Sequence, residues 1–179
     1  MASKEKQLTS KIVFTGRVIK LRVDDAVIVD TGVKTNREVV MHPGGCACLV
    51  KTLDNKIMFV RQFRYPYQEF SLELPAGKRD GNEDPDVTIA RELEEEVGIK
   101  PNRIEKICVV YPSPGIMNEV LHLYYCDDYE LSKKDLDFDE SLDVITYSMD
   151  EALKLIENGE IKDAKTIILL LRCKDRFNI

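Results

Sequence analysis

Four glutamates fall within the nine residues Arg91-Glu92-Leu93-Glu94-Glu95-Glu96-Val97-Gly98-Ile99. On a helix, spacings of three and four residues bring side chains together, so Glu92, Glu95 and Glu96 share one side. Like charges at those spacings repel. Arg91 can pair with Glu95, which relieves the repulsion only in part, because Glu92 is followed four residues on by Glu96 rather than by a base. Three convergent carboxylates make an oxygen-rich site for a hard divalent cation such as Mg²⁺ or Mn²⁺. A merely solvated acidic face has the same composition. The preceding loop bears on the choice: Gly77 and Gly81 allow close backbone approach and unusual φ just before the acidic run, although glycines there also suit a plain turn.

The elements that would position these groups can be read from the surrounding chain. Asp84 is the expected N-cap of a helix, Pro85 its first residue and Gly98 its terminator. Val87, Ala90, Leu93 and Val97, flanked by Ile89, are expected to face a core. Glu94 is expected to be solvated. Residues 75–83 have turn composition. Residues 12–30 alternate and are rich in Val and Ile, which predicts two or three short strands with a turn near Asp24-Asp25. Further strands are expected in REVVMHPGG, CACLVKT, KIMFVRQFRY, RIEKICVVY, EVLHLYYCDD and DVITYS. Asp54-Asn55 and PSPG read as turns, and Met149 to Asn158 and Asp163 to Arg172 as helices. The fold class is α+β, one domain with a mostly β body and about three helices.

The 179 residues carry a formal net charge of -6, which argues against a basic nucleic-acid-binding surface. No apolar run reaches the length of a membrane span, and the polar start MASKEKQLTSK lacks the apolar centre of a signal peptide. The five cysteines form no CxxC pair and are odd in number, as expected of reduced thiols in a cytoplasm, several of them buried as small hydrophobes.

Gly77, five residues, Glu83, seven residues and then Arg91-Glu92-Leu93-x-Glu95-Glu96-x-Gly98-Ile99 fill every defined position of the Nudix box. The chain therefore resembles the Nudix hydrolases. Glu73-Leu74-Pro75-Ala76-Gly77 and Pro114, fifteen residues past Ile99, look like the ADP-ribose pyrophosphatase branch, as do RQFRYP and NGEIKDAKTIILLL. The resemblance spans most of the chain from Arg37 to Leu171.

The resemblance implies an αβα sandwich around a mixed β-sheet, with an antiparallel N-terminal β extension. It implies a Nudix hydrolase domain over 41–179, and an extension over 1–40 that swaps across a two-fold axis in a homodimer. It implies two or three Mg²⁺ (or Mn²⁺) ions held by Glu92, Glu95, Glu96 and the carbonyl of Ala76. Glu95 would reach a metal directly or through water and belong to the catalytic set, with Arg91 orienting the glutamates. Glu83 would brace the loop. Arg64 would contact the diphosphate, and Gly77 and Gly115 would approach the substrate closely. Glu73 would be either a substrate-site residue or the partner of a buried arginine, the second being favoured. Glu119 would be the catalytic base or position the attacking water. Arg37 and Glu38 lie where adenine-side contacts fall.

The implied reaction is hydrolysis of ADP-ribose or a related ADP-sugar to AMP and a sugar phosphate. The chain has no tryptophan, so any stacking on the base must come from Phe, Tyr or an Arg plane. Another nucleotide sugar, such as GDP-mannose, is the nearest alternative substrate. A sensor that binds a nucleotide sugar without cutting it is a more distant one, because such domains lose box glutamates. His42 and His122 read as packed structural residues.

Overall fold

The computed structural model describes residues 2–134 and 141–177, arranged as two compact units, Met1–Gly44 with Tyr111–Val120 and Gly45–Val110 with Leu121–Ile179. In the first unit, β1 (Glu5–Thr15), β2 (Lys20–Ile28) and β3 (Lys34–Met41) form an antiparallel sheet in that order. The expected turn at Asp24-Asp25 is not there. β2 runs straight through both residues, and the chain reverses between Gly16 and Ile19, whose N–H and carbonyl meet at 2.9 Å. The aspartates are tolerated in mid-strand because side chains of their own strand and of neighbouring strands satisfy them. Asp25 accepts from Thr9 and from Asn36, each at 2.6 Å, and Asp24 pairs with Arg22 at 2.9 Å. β1 also starts earlier than its composition suggested, because its polar residues are all exposed and leave no one-sided apolar alternation to read.

The second unit is built on β4 (Gly45–Val50), β5 (Ile57–Arg64), β6 (Glu69–Glu73), β7 (Ala76–Lys78), α1 (Pro85–Val97), β8 (Ile99–Val110), β9 (Leu121–Leu131), β10 (Leu142–Tyr147), α2 (Met149–Glu157) and α3 (Ala164–Cys173). One sheet runs β7-β4-β9-β8. It is mixed, because β4 and β9 are parallel while the outer pairs are antiparallel. The other runs β10-β5-β6 and is antiparallel. β6 and β7 add two strands beyond those expected from the sequence, and β7 takes Ala76–Lys78 out of the expected turn by pairing them with residues 45–47 of β4.

β4 is buried along its whole length, and its alternation makes the sandwich. Cys46, Cys48 and Val50 pack with Ile89 and Leu93 of α1. Ala47 and Leu49 pack on the opposite side with Phe59, Leu169 and Leu170. β9 repeats the split, Tyr124 and Cys126 going to the α1 layer and Leu123 and Tyr125 to the α3 layer. All five thiols are free, and four of them are buried.

The first helix keeps its expected ends. The Asp84 carboxylate accepts from Asp86 N–H, Pro85 opens the helix, and Gly98 closes it at φ 67°. Its buried face, however, lies elsewhere than the apolar residues alone suggested. Thr88, Ile89, Glu92, Leu93 and Glu96 are buried, whereas Val87 is exposed. The helix is rotated so that two glutamates point inward. Glu94 points away from them, as expected, but is not simply solvated: Ser132 Oγ donates to it at 2.6 Å.

Candidate active site

The loop that leads into α1 is held by its own side chains. Arg79 donates two hydrogen bonds to the carbonyl of Glu83, at 2.8 and 2.6 Å. The Glu83 carboxylate accepts from Thr88 Oγ1 at 2.8 Å and from Arg91 at 3.2 Å, and these donors hold its pKa below the usual carboxylate value. Glu83 thus braces loop to helix. Arg79 was not among the expected site residues, and its signal in sequence is weak, since a basic residue in a turn is unremarkable.

Glu92 and Glu96 are 8% and 3% exposed, unusual for carboxylates. Two features of β7 make room for them. Glu96 Oε2 accepts the Ala76 N–H at 2.9 Å. Gly77 lies against the Glu92 carboxyl so closely that a Cβ there would sit 1.8 Å from Cδ. The box glycine is therefore required for space, whatever its φ.

Arg91 gathers the remaining charge. One guanidinium nitrogen lies 2.9 Å from Glu92 Oε1 and 2.8 Å from Glu95 Oε2, and the other donates to Glu83 and to the carbonyl of Lys78. Burial by itself would lower the Arg91 pKa, but Glu83, Glu92 and Glu95 outweigh it and raise it, so the side chain is a fixed cation. Among the described residues no three His, Cys, Asp or Glu side chains stand ready to hold an ion as they are. The chemistry of the donor set nevertheless fits a hard divalent cation: the carboxylates and the Ala76 carbonyl would offer oxygen, and the bare Cα of Gly77 leaves Glu92 its place.

Arg64 ends β5 and meets Glu73, at the end of β6, through two parallel hydrogen bonds of 2.6 Å. Lys165 Nζ joins the same carboxylate at 2.5 Å and also lies 3.0 Å from Asp163. Burial pushes the Glu73 carboxyl up, but the Arg64 hydrogen bonds and the charges of Lys165 and Arg64 win and bring it down to about 2. Glu73 is thus the partner of an arginine, but of a part-exposed one rather than a buried one, and it lies in the lining of a cavity. This cluster lines a cavity of about 430 Å³ together with Tyr67, Ser71 and Lys162.

Asp163 caps α3, accepting from Thr166 N–H and Oγ1, and Thr166 Oγ1 accepts from the buried N–H of Leu74. The start of α3 therefore pins the segment that carries Ala76 and Gly77. Sequence reasoning assigned no role to Asp163, Lys165 or Thr166. The Asp-x-x-Thr capping pattern was the available signal.

In the smaller unit, Arg37, Glu38 and Gly115 share a recess of about 290 Å³ with Pro114 and Met117. Arg37 is paired with Glu5 at 2.9 and 2.5 Å. Glu119 also belongs to this unit, 3.1 Å from His42 Nδ1. His122, in the larger unit, is half-buried. Burial foremost, then the charges of Lys106 and Arg79, lowers its pKa.

A NUDIX domain matches residues 41–170. An ADP-ribose pyrophosphatase of Bacillus subtilis is 40% identical over 164 residues, covering 90% of this chain and 88% of its own length. A methanol dehydrogenase activator of Bacillus methanolicus is 44% identical over 168 residues, covering 92% and 89%. A crystal structure of an ADP compounds hydrolase shares the fold at a TM-score of 0.84 and 18% identity, over 98% of this chain and 95% of that one. The chain belongs to the Nudix family. Within it, the chain is a Nudix pyrophosphohydrolase, similar to ADP-ribose pyrophosphatase. Nudix hydrolases use divalent metal ions. Among the described residues no helix is long and apolar enough to cross a membrane.

Proposed function

We propose that this protein hydrolyses the diphosphate bond of ADP-ribose or a related ADP-sugar to AMP and a sugar phosphate, with Mg²⁺ as cofactor. The observation that carries this reading is the pair of buried carboxylates, Glu92 and Glu96, seated against Gly77 and Ala76 in a chain 40% identical to an ADP-ribose pyrophosphatase. Glu92, Glu96, Glu95 and the Ala76 carbonyl would hold two or three Mg²⁺ ions. When bound, such ions neutralise diphosphate charge and lower the pKa of a bound water.

The chain's own groups do the rest. Arg91 supplies a fixed positive charge that lines up Glu92 and Glu95, the carboxylates that would hold the cation. Arg64, held flat by Glu73, presents its remaining N–H groups to phosphoryl oxygens. Glu119 takes the proton of the attacking water. Arg37, Glu38 and Gly115 receive the nucleotide end, with the Arg37 plane in place of an indole. The strands of residues 1–40 serve a homodimer, and the free thiols fit a cytoplasmic setting.

A substrate panel with Mg²⁺ and product identification tests this: ADP-ribose, GDP-mannose, NADH, dinucleoside polyphosphates and dNTPs. ADP-ribose should lead and give AMP. A preference for dNTPs over every nucleotide sugar would sink the assignment, and a preference for GDP-mannose would move it to another nucleotide sugar. The kinship to the Bacillus methanolicus protein supports a second reading, in which a dehydrogenase is a partner. Adding a methanol dehydrogenase with and without this protein reads that directly.

A further inference from the structure

The segment before Glu119 is laced to the end of β3. Val40 N–H donates to the Ile116 carbonyl at 2.8 Å, Asn118 N–H to the Val40 carbonyl at 3.1 Å, and His42 N–H to Asn118 Oδ1 at 2.8 Å. These bonds bring the His42 ring against Glu119, with Nδ1 at 3.1 Å from Oε1 and the two side chains only 15% and 17% exposed. The Gly44 N–H points at the same nitrogen, also at 3.1 Å.

Proton counting makes this contact informative. An unprotonated Nδ1 can accept from Gly44, but it then faces a carboxylate oxygen with no proton between them, and two lone pairs at that distance repel. An ionised Glu119 therefore requires the proton on Nδ1, in the neutral Nδ1–H tautomer or the imidazolium. The ring has two hydrogen-bonded settings. In one it accepts from Gly44, and in the other it donates to Glu119.

We propose that His42 is a positioning residue for Glu119, an inference that rests on the reading of Glu119 as acceptor of the water's proton. Nδ1–H holds Oε1 through a charge-assisted hydrogen bond and leaves Oε2 to meet the water. The bond fixes the direction of the carboxylate. Glu119 is the charged group that the ring meets at hydrogen-bond distance.

The test compares His42→Ala, His42→Asn, His42→Gln and Glu119→Gln in ADP-ribose hydrolysis with Mg²⁺. His42→Ala should lower kcat by about 10- to 100-fold with KM within about twofold. His42→Asn, whose amide nitrogen falls near Nδ1, should recover most of the rate, and His42→Gln should not. The double variant His42→Ala/Glu119→Gln should be no slower than Glu119→Gln alone. Unchanged kcat in His42→Ala, with Glu119→Gln slow, would overturn this proposal and leave the base assignment standing. A fast Glu119→Gln would overturn both. Should His42→Ala fail to fold, the ¹⁵N shifts of the wild-type ring decide the matter. A protonated Nδ1 that reverts in Glu119→Ala, which leaves no acceptor, supports the contact, and an unchanged ring there refutes it.

Discussion

The bare Cα of Gly77 and the carboxyl of Glu92 fit against each other without room for a methyl group: a Cβ at 77 would lie 1.8 Å from Cδ and 2.0 Å from Oε1 of Glu92. The carboxyl sits at the end of a side chain that can swing away, so the collision displaces Glu92 rather than the backbone. Gly77→Ala is therefore expected to cost about 1–3 kcal/mol of stability at most and to lower kcat by roughly 100-fold or more as the proposed ligand set loses a member. Steady-state kinetics beside a thermal melt read the two effects. A variant with full activity would contradict the placement of Glu92 in the site.

Glu96→Gln keeps a carbonyl oxygen able to accept the Ala76 N–H seen at 2.9 Å, so the fold should survive while charge at the site is lost. Turnover should fall by about 10³-fold or more with little change in Tm. Glu92→Gln should chiefly weaken Mg²⁺ binding, which a metal titration of activity reads. Asp84→Ala offers the contrast. It removes the acceptor for Asp86 N–H at 2.9 Å and should lower stability by about 1 kcal/mol with kcat nearly unchanged. The opposite pattern across these variants would reverse the division between helix cap and metal site.

The Glu73 carboxyl titrates in the folded chain at about 2 instead of 4.5. Its folded pKa lies below the unfolded one, so the stabilisation is complete above about pH 4.5 and is lost as pH falls toward about 2. Its size is at most about 3 kcal/mol. Urea melts of the wild type from pH 6 to 2 should show this loss. Glu73→Gln should be less stable at pH 7, since it removes the negative charge that Arg64 and Lys165 share, and should have a flatter acid slope. Identical slopes would show that Glu73 does not carry the effect.

Burial pushes the Cys46 thiol up to about 12 and Cys126 and Cys173 to about 11, whereas Cys108 is only half-buried. A thiol-reactive probe at pH 8 should therefore label Cys108 first and the buried thiols only as fast as the protein opens. Peptide mapping of the early label checks this. Fast labelling of Cys46 would mean that the layer between β4 and α1 is looser than its packing suggests.

What the amino-acid sequence determined by itself is local or strictly spaced. Asp84, Pro85 and Gly98 bound a helix because capping and left-handed φ are properties of a few adjacent residues. The box from Gly77 to Ile99 points to its family because its defined positions lie within one loop and one helix. Asn55 turns the chain at φ 63° for the same local reason. Tertiary structure alone decided which side of α1 is buried. Apolar periodicity put Val87 inward, but the helix presents Glu92 and Glu96 to β7, because Gly77 leaves space and Ala76 N–H gives Glu96 a partner. It also decided that Asp24 and Asp25 stay in a strand, their turn propensity overridden by Arg22 beside Asp24 and by Thr9 and Asn36 on the strands that flank Asp25. The Glu73–Lys165 and His42–Glu119 contacts join residues 92 and 77 positions apart, and no pattern short of the folded chain shows them. A carboxylate's burial depends on what faces it, and what faces it is set by the packing of distant segments.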